Sequence, residues 1–421
     1  MQRLFVYADF DFLKEIEPIG VLGYERLRGN DCYSFEFNTE WLQKHPSIKL
    51  SADLENFPGI QYTKPGKEIF SCFSDALPDR WGRTLLNKRE FIQAQEEKRL
   101  IKRLTSFDYL MGIDDFSRMG GFRFKLNPDE DFINNSTVLK IPPLTKILEL
   151  FDASKQIELS EIEHTIPEMK WLNQLLHPGT SLGGARPKAS VVDSNQNLYI
   201  AKFPSINDEY DVGLWEFLSN QMAKIAGINI PDSKVIRNDN RFHSFISKRF
   251  DRLSPNTRVQ FASALSLLGL EDGDNASSGK GYIDIVDFIL QSCTDSKSNI
   301  EELYRRVAFN ICIGNSDDHF RNHGFLLTPK GWTLSPVYDL NPTLNDFQTL
   351  LINSKTNEAD LGILLDSYQE YMINRSTAEN IIKKVVDSVS QWEVLARNIH
   401  VPKYEIDRFR EKFSKNKNFR F

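Results

Sequence analysis

The stretch Gly314-Asn315-Ser316-Asp317-Asp318-His319-Phe320-Arg321-Asn322, followed by Tyr338-Asp339-Leu340, decides how this chain is read. An aspartate, an asparagine five residues on and a second aspartate past a short hairpin form the polar set of a phosphoryl-transfer loop. That chemistry needs one carboxylate to hold an acceptor hydroxyl and two oxygen-bearing groups to hold a divalent cation. Asp317 supplies the first, and Asn322 and Asp339 supply the others. An Asp-rich segment is otherwise a solvated loop, so the flanks matter. Residues 301–313 carry Leu303, Val307, Phe309, Ile311 and Ile313 in a helical pattern, with Arg305 and Arg306 outside. Gly314-Asn315 is a helix stop. Apolar runs at 324–327 and 332–334 flank Thr328-Pro329-Lys330-Gly331, a turn signal, so Asp339 is expected to return beside Asp317.

Upstream, residues 177–188 (His-Pro-Gly-Thr-Ser-Leu-Gly-Gly-Ala-Arg-Pro-Lys) are glycine-rich and lead into a predicted hairpin. Its strands, 189–192 and 198–203, are separated by Asp193-Ser194-Asn195-Gln196-Asn197. Glycines let backbone amides approach phosphates. Lys202, on the second strand, suits neutralising the α- and β-phosphates of ATP. No Gly-Lys-Ser/Thr follows Gly184 and a strand comes next, which argues against a P-loop ATPase. Residues 211–225 read as a helix on which Glu216 can pair with Lys202; a solvated surface glutamate is the alternative. Residues 242–250 read as a strand ending at Ser247-Lys248-Arg249-Phe250, where an adenine-holding linker would fall.

This ordered set resembles the HipA family, the kinase toxins of bacterial toxin–antitoxin pairs. The resemblance rests on 181–188, Ile200-Ala201-Lys202-Phe203-Pro204, Glu216, 226–231, Arg249-Phe250-Asp251-Arg252 and the Asp317 and Asp339 motifs. Near the start, Phe73-Ser74-Asp75-Ala76-Leu77-Pro78-Asp79 and the segment from Phe107-Asp108 to Gly121 resemble the family as well. The resemblance implies an α+β, two-lobed protein-kinase-like fold. An N-terminal α/β subdomain would occupy 1–150, a nucleotide-binding lobe 151–252 and a mainly helical catalytic lobe 253–421.

It further implies a serine/threonine kinase using ATP and Mg2+. Asp317 would be catalytic; Gly183, Gly184, Ala185, Lys188, Lys202, Ser247, Arg249, Phe250 and His319 would line the ATP site. Asn322 and Asp339 would hold the metal, and Ser181 would be an autophosphorylated loop serine whose modification repels the ATP phosphates. The implied partner is a helix-turn-helix antitoxin of the HipB kind, with DNA reached only through it. The implied substrate class is the translation machinery, notably aminoacyl-tRNA synthetases. Lys248 stands where the family often has Glu, which leaves adenine contacts to the backbone. Residues 259–263 replace an acidic stretch. Asp318 takes a glycine position and is expected to face solvent.

Composition agrees with these expectations. The chain has 421 residues, 40% hydrophobic and 26% charged, which suits two or three folded domains. Thirty Phe residues point to well-filled cores. No apolar stretch nears the roughly 20 residues a membrane span needs, and 1–7 reads as a strand, not a signal peptide. Cys32, Cys72, Cys293 and Cys312 lack disulfide or zinc spacing, which fits a reducing cytoplasm. His319 and His323 alone make a poor metal site. A net charge of −6 argues against general nucleic-acid affinity; the basic runs at 98–103 and 408–420 read as solvated faces. Residues 77–95 and 96–104 read as helices, as do 376–390 and 402–414. The acidic, Gly/Ser-rich 270–281 reads as a mobile loop near the site and lacks EF-hand spacing. The alternatives are a small-molecule or lipid kinase and a catalytically inactive regulatory partner of a DNA-binding antitoxin; intact Lys202, Asp317, Asn322 and Asp339 count against the latter.

Overall fold

The computed structural model describes residues 1–135, 141–176, 184, 186–238, 242–417 and 419–420. The chain divides into two compact units, Met1–Asp208 with Ile246–Ala262, and Glu209–Phe245 with Ser263–Phe421.

The first unit opens with an antiparallel five-stranded sheet. Its spatial order is Ile60–Tyr62, Asn30–Phe37, Glu17–Leu27, Gln2–Ala8 and Phe122–Lys125. Strand alternation puts Leu4, Val6 and Ala8 on one buried face, where they meet Leu22 and Phe35. Leu27 pairs with Asn30 across Arg28 and Gly29, both at positive φ, the geometry that matches a hairpin's twist. The helix Arg80–Glu96 follows, capped by Asp79, which accepts from the Gly82 N–H at 2.7 Å.

The sequence pattern carries a second helix through 96–104, and the structure corrects this. Lys98 adopts φ 53°, its N–H donates to the Gln95 carbonyl, and the Arg99 N–H donates to that of Ala94. This is a Schellman end built without glycine, so the usual stop signal is missing from the sequence. Glu90 then holds the reversed chain through the Arg99 guanidinium and the Lys102 N–H.

The hairpin expected at 189–203 forms. Lys188–Val192 pairs with Leu198–Lys202, with Lys188 opposite Lys202. The Asp193 carboxylate closes the turn by accepting from the N–H groups of Asn195 and Asn197. The Arg249 N–H donates to the Leu198 carbonyl at 2.9 Å, which seats the segment after residue 248 along this hairpin.

A buried charge cluster ties that segment to the first 125 residues. The Asp251 carboxylate accepts from Arg249, Arg252 and the Gly120 N–H. Arg249 and Arg252 also donate to the carbonyl of Arg118, and Gln260 accepts from the Gly121 N–H. Asp115 takes Arg123 and Arg258. Burial alone would raise the Asp251 carboxyl, but the two arginines outweigh it and hold it at about 2.

In the second unit the helix Val212–Ala226 starts at an Asp211 cap and ends at Gly227, φ 79°. Its Trp215 packs on Phe409 and Phe413 of the helix Lys403–Ser414. Its core is completed by the helices Tyr282–Ser292, Ser296–Ile313 and Arg375–Val389, and by a hairpin pairing Gly324–Thr328 with Gly331–Leu334. Among the described residues no helix is long and apolar enough to cross a membrane.

Candidate active site

The Asp317 loop starts where the helix Ser296–Ile313 stops. Gly314 takes φ 70° there, and a Cβ on it would lie 2.8 Å from the Thr343 carbonyl oxygen. Gly314→Ala is therefore expected to lower stability by about 1–3 kcal/mol, from left-handed backbone strain and that clash. A urea midpoint matching the wild type would refute it.

A strap at 343–349 pins the loop. The Thr343 N–H and Oγ1 both donate to the Gly314 carbonyl, at 2.9 and 2.7 Å. The Thr349 N–H and Oγ1 both donate to that of Ser316, at 3.0 and 2.8 Å.

Within the loop the two adjacent aspartates face opposite ways. Asp318 is only 3% exposed, a correction to the solvent-facing expectation. It accepts from Tyr282 Oη at 2.7 Å, Asn310 Nδ2 at 2.8 Å and His323 Nε2 at 2.9 Å. Burial pushes its carboxyl up, but His323 and the Tyr282 hydroxyl more than reverse this, so it sits below its ordinary value. Asp317 is turned outward and exposed. Its pKa is raised, first by the protein packed against part of it, then by the Asp339 and Asp318 charges, with His319 opposing.

Asn322, in a short 3-10 turn, donates through Nδ2 to the Asp317 carbonyl at 3.1 Å. Its amide oxygen carries no hydrogen bond among the described residues. Asp339 returns on the hairpin at φ 62°, and its Oδ1 accepts from Asn341 Nδ2 at 2.9 Å. The Tyr338 hydroxyl donates to the Arg321 carbonyl, which fastens the two motifs together. His319 is partly exposed, and its Nδ1 has no partner among the described residues.

The acidic stretch 270–281 does lie beside this loop, but it is tied down. Arg321 makes a two-pronged ion pair with Asp272 at 2.6 and 2.8 Å, and Ala276 and Lys280 share backbone hydrogen bonds with Thr349 and Leu351.

The residues fit a hard divalent cation. Asn322 and Asp339 offer only oxygen, as Mg2+ prefers, and a cation would relieve the charge crowding felt at Asp317. Among the described residues no group of three His, Cys, Asp or Glu side chains could hold a metal. Such a cation would therefore rely on an amide oxygen, on water and on substrate oxygens.

The remaining expected residues divide by unit. Glu216 lies in the second unit at 2% exposure, which removes the solvated-surface alternative. Gly184, Lys188, Lys202, Ser247, Arg249 and Phe250 lie in the first. The Arg249 guanidinium is engaged by Asp251 and by the Ser117 and Arg118 carbonyls, and the Phe250 ring packs on Phe261. Ser181, Gly183 and Ala185 lie outside the described residues. Sequence reasoning missed Tyr282 and Asn310 beneath the loop; both look like ordinary helix residues.

Residues 180–392, just over half of the chain, match the family model of the HipA-like C-terminal domain. The chain belongs to the HipA family. Residues 13–107 match the HipA N-terminal domain as well. The serine/threonine-protein kinase toxin HipA of Shewanella oneidensis is 24% identical over 212 residues, 44% of this chain and 48% of that protein. A Haemophilus influenzae protein provisionally named a kinase is 24% identical over 207 residues, 43% of this chain and 60% of that protein. The chain thus spans about half to three-fifths of the length of these curated relatives. A solved HipA, from the Shewanella oneidensis MR-1 toxin–antitoxin complex of HipA, HipB and operator DNA, superposes with a TM-score of 0.69. The identity is 16%, and the match covers 98% of this chain and 96% of that one. The chain therefore has the α+β, kinase-like HipA fold.

Proposed function

We propose that this HipA-family chain is an ATP- and Mg2+-dependent serine/threonine protein kinase, the toxin of a toxin–antitoxin pair. The observation that carries the reading is the arrangement around Asp317. One exposed carboxylate is held by Asn322 through its own carbonyl, stands on a buried polar base and feels the charge of Asp339.

Asp317 orients the acceptor hydroxyl and takes its proton at the carboxylate. Asn322 Oδ1 and the Asp339 carboxylate would hold Mg2+, which when bound neutralises charge on the transferring phosphates. Lys188 and Lys202, with Gly183, Gly184 and Ala185, would serve the ATP phosphates. Ser247, Arg249 and Phe250 would serve the adenine side; the Arg249 guanidinium is engaged elsewhere, so its contact would come from backbone. His319 would contact nucleotide, Glu216 would pair with Lys202, and Ser181 would be the autophosphorylation site. In this reading 151–252 is the nucleotide-binding lobe, 253–421 the catalytic lobe and 1–150 the family's N-terminal subdomain. A cytoplasmic HipB-like antitoxin is the proposed partner, with DNA contacted through it and an aminoacyl-tRNA synthetase as the substrate class.

The raised pKa of Asp317 has a pH consequence. The ionised form takes the hydroxyl proton, so kcat/KM falls as pH drops through that pKa. The acid limb should lie above the ordinary Asp value of about 3.9. A limb at or below the ordinary value in the wild type would contradict this.

The reading is tested by incubating the protein with labelled ATP and Mg2+ beside Asp317→Ala and Ser181→Ala, then mapping phosphate by mass spectrometry. Label on Ser181, absent from both variants, is expected. Nucleotide binding without label would favour a small-molecule kinase, and neither would favour the inactive regulatory partner.

A further inference from the structure

Two stretches singled out in the sequence meet in the first unit, 109 residues apart. The Lys188 ammonium, at the root of the glycine-rich loop, donates to Asp79 Oδ2 at 2.8 Å, and their side chains are 2% and 3% exposed. Asp79 lies within the segment matching the HipA N-terminal domain, and Lys188 within the C-terminal one.

The carboxylate is itself held in place. Its Oδ1 accepts from the Gly82 N–H at 2.7 Å, so it belongs to the first turn of the helix Arg80–Glu96 and has little freedom to follow the lysine. The ammonium also lies against the loop backbone, because a Cβ built on Gly184 would be 3.2 Å from Nζ. Arg186, between them in sequence, is anchored separately, through both guanidinium nitrogens to Asp208 and to the Phe203 carbonyl. The loop's exit is thus fixed by two ion pairs, and only one of them places a cation beside Gly184.

We propose that Asp79 is a positioning residue for phosphate binding: it holds the Lys188 ammonium beside Gly184, so the N-terminal segment tunes nucleotide affinity. This rests on the nucleotide-binding reading above. An ammonium has three donors, so one contact to Asp79 fixes the position of Nζ without using all of them. Without Asp79 the buried ammonium loses a carboxylate that fixes it, so it sheds its proton more readily or shifts from its place. Both remove a cation from the phosphates. Burial also raises the Asp79 carboxyl, with Lys188 opposing, so the pair is mutually dependent.

The test is a double-mutant cycle on the affinity for AMP-PNP with Mg2+, measured by calorimetry on the full chain. The variants are Asp79→Asn, Lys188→Met and the double variant, with Asp79→Glu as the conservative rescue. Asp79→Asn and Lys188→Met are each expected to weaken binding about tenfold or more, and the double no further than Lys188→Met alone. Asp79→Glu should recover part of the affinity. Wild-type affinity in folded Asp79→Asn, or single losses that multiply in the double, would overturn the proposal. Should Asp79→Asn not fold, Asp79→Glu and the double decide. Full affinity in the double, in which both charges are gone, would overturn the proposal equally. A wild-type chain that binds no AMP-PNP would instead sink the nucleotide-binding reading, and this inference with it.

Discussion

Asp317→Ala is expected to lower phosphoryl transfer by about 10²–10⁴-fold while leaving nucleotide affinity within a small factor. The side chain is exposed, and no hydrogen bond to its carboxylate is needed to hold the loop. Loop shape depends on the backbone of Gly314 and Ser316, on the Asp317 carbonyl and on the inward-facing Asp318. Alanine therefore removes the proton acceptor and little else. Because it also deletes a charge beside Asp339, affinity for the Mg2+ nucleotide can shift modestly without collapsing. Single-turnover transfer and calorimetric affinity, measured on the same preparation, separate the two effects. Turnover within tenfold of the wild type, or a loss accounted for by failed binding, would remove Asp317 from its role.

The neighbouring substitution should fail for the opposite reason. Asp318→Ala is expected to cost about 3–5 kcal/mol of stability, the scale for breaking a buried hydrogen-bonded charge from one side. It strands the Tyr282 hydroxyl, the Asn310 amide and the His323 ring together, none of which reaches water. Transfer should fall too, since Asn310 also accepts from Asn315 at the start of the loop. Asp318→Asn keeps the shape and one acceptor oxygen and should lie between. The folded state depresses the Asp318 pKa, so its contribution is complete above the ordinary value of about 3.9 and fades as pH falls below it. Chemical denaturation at neutral and acidic pH checks both points. A variant as stable as the wild type would mean that the carboxylate does not organise the loop.

The contrast between these two aspartates shows what could be read in advance. Asp317, Asn322 and Asp339 stand out in the sequence because phosphoryl-transfer chemistry would dictate residue types at short, fixed spacings, and because Gly314 and the 328–331 turn are unmistakable punctuation. The hairpin behind the glycine-rich loop and the helix bearing Glu216 were legible for the same reason. Which aspartate of a pair turns inward depends on Tyr282 and His323, and on an asparagine a turn back along the preceding helix. No local pattern announces that choice. The helix end at Lys98 was hidden because a lysine occupies a position that glycine usually marks. The ion pair of Asp79 and Lys188 is a tertiary contact, and spacing in sequence carries no trace of it.

The arginine cluster around Asp251 bears on how the protein can be dissected. Removing the first 125 residues would strip Arg249 and Arg252 of the carbonyls of Ser117 and Arg118, and Arg258 of Asp115. It would also take from Asp251 the amide of Gly120. Arg258 would lose its carboxylate partners, and Arg249 and Arg252 would keep Asp251 but lose the carbonyls that complete their hydrogen bonding. The N-terminal segment thus completes the buried interior of the first unit and is not a detachable module.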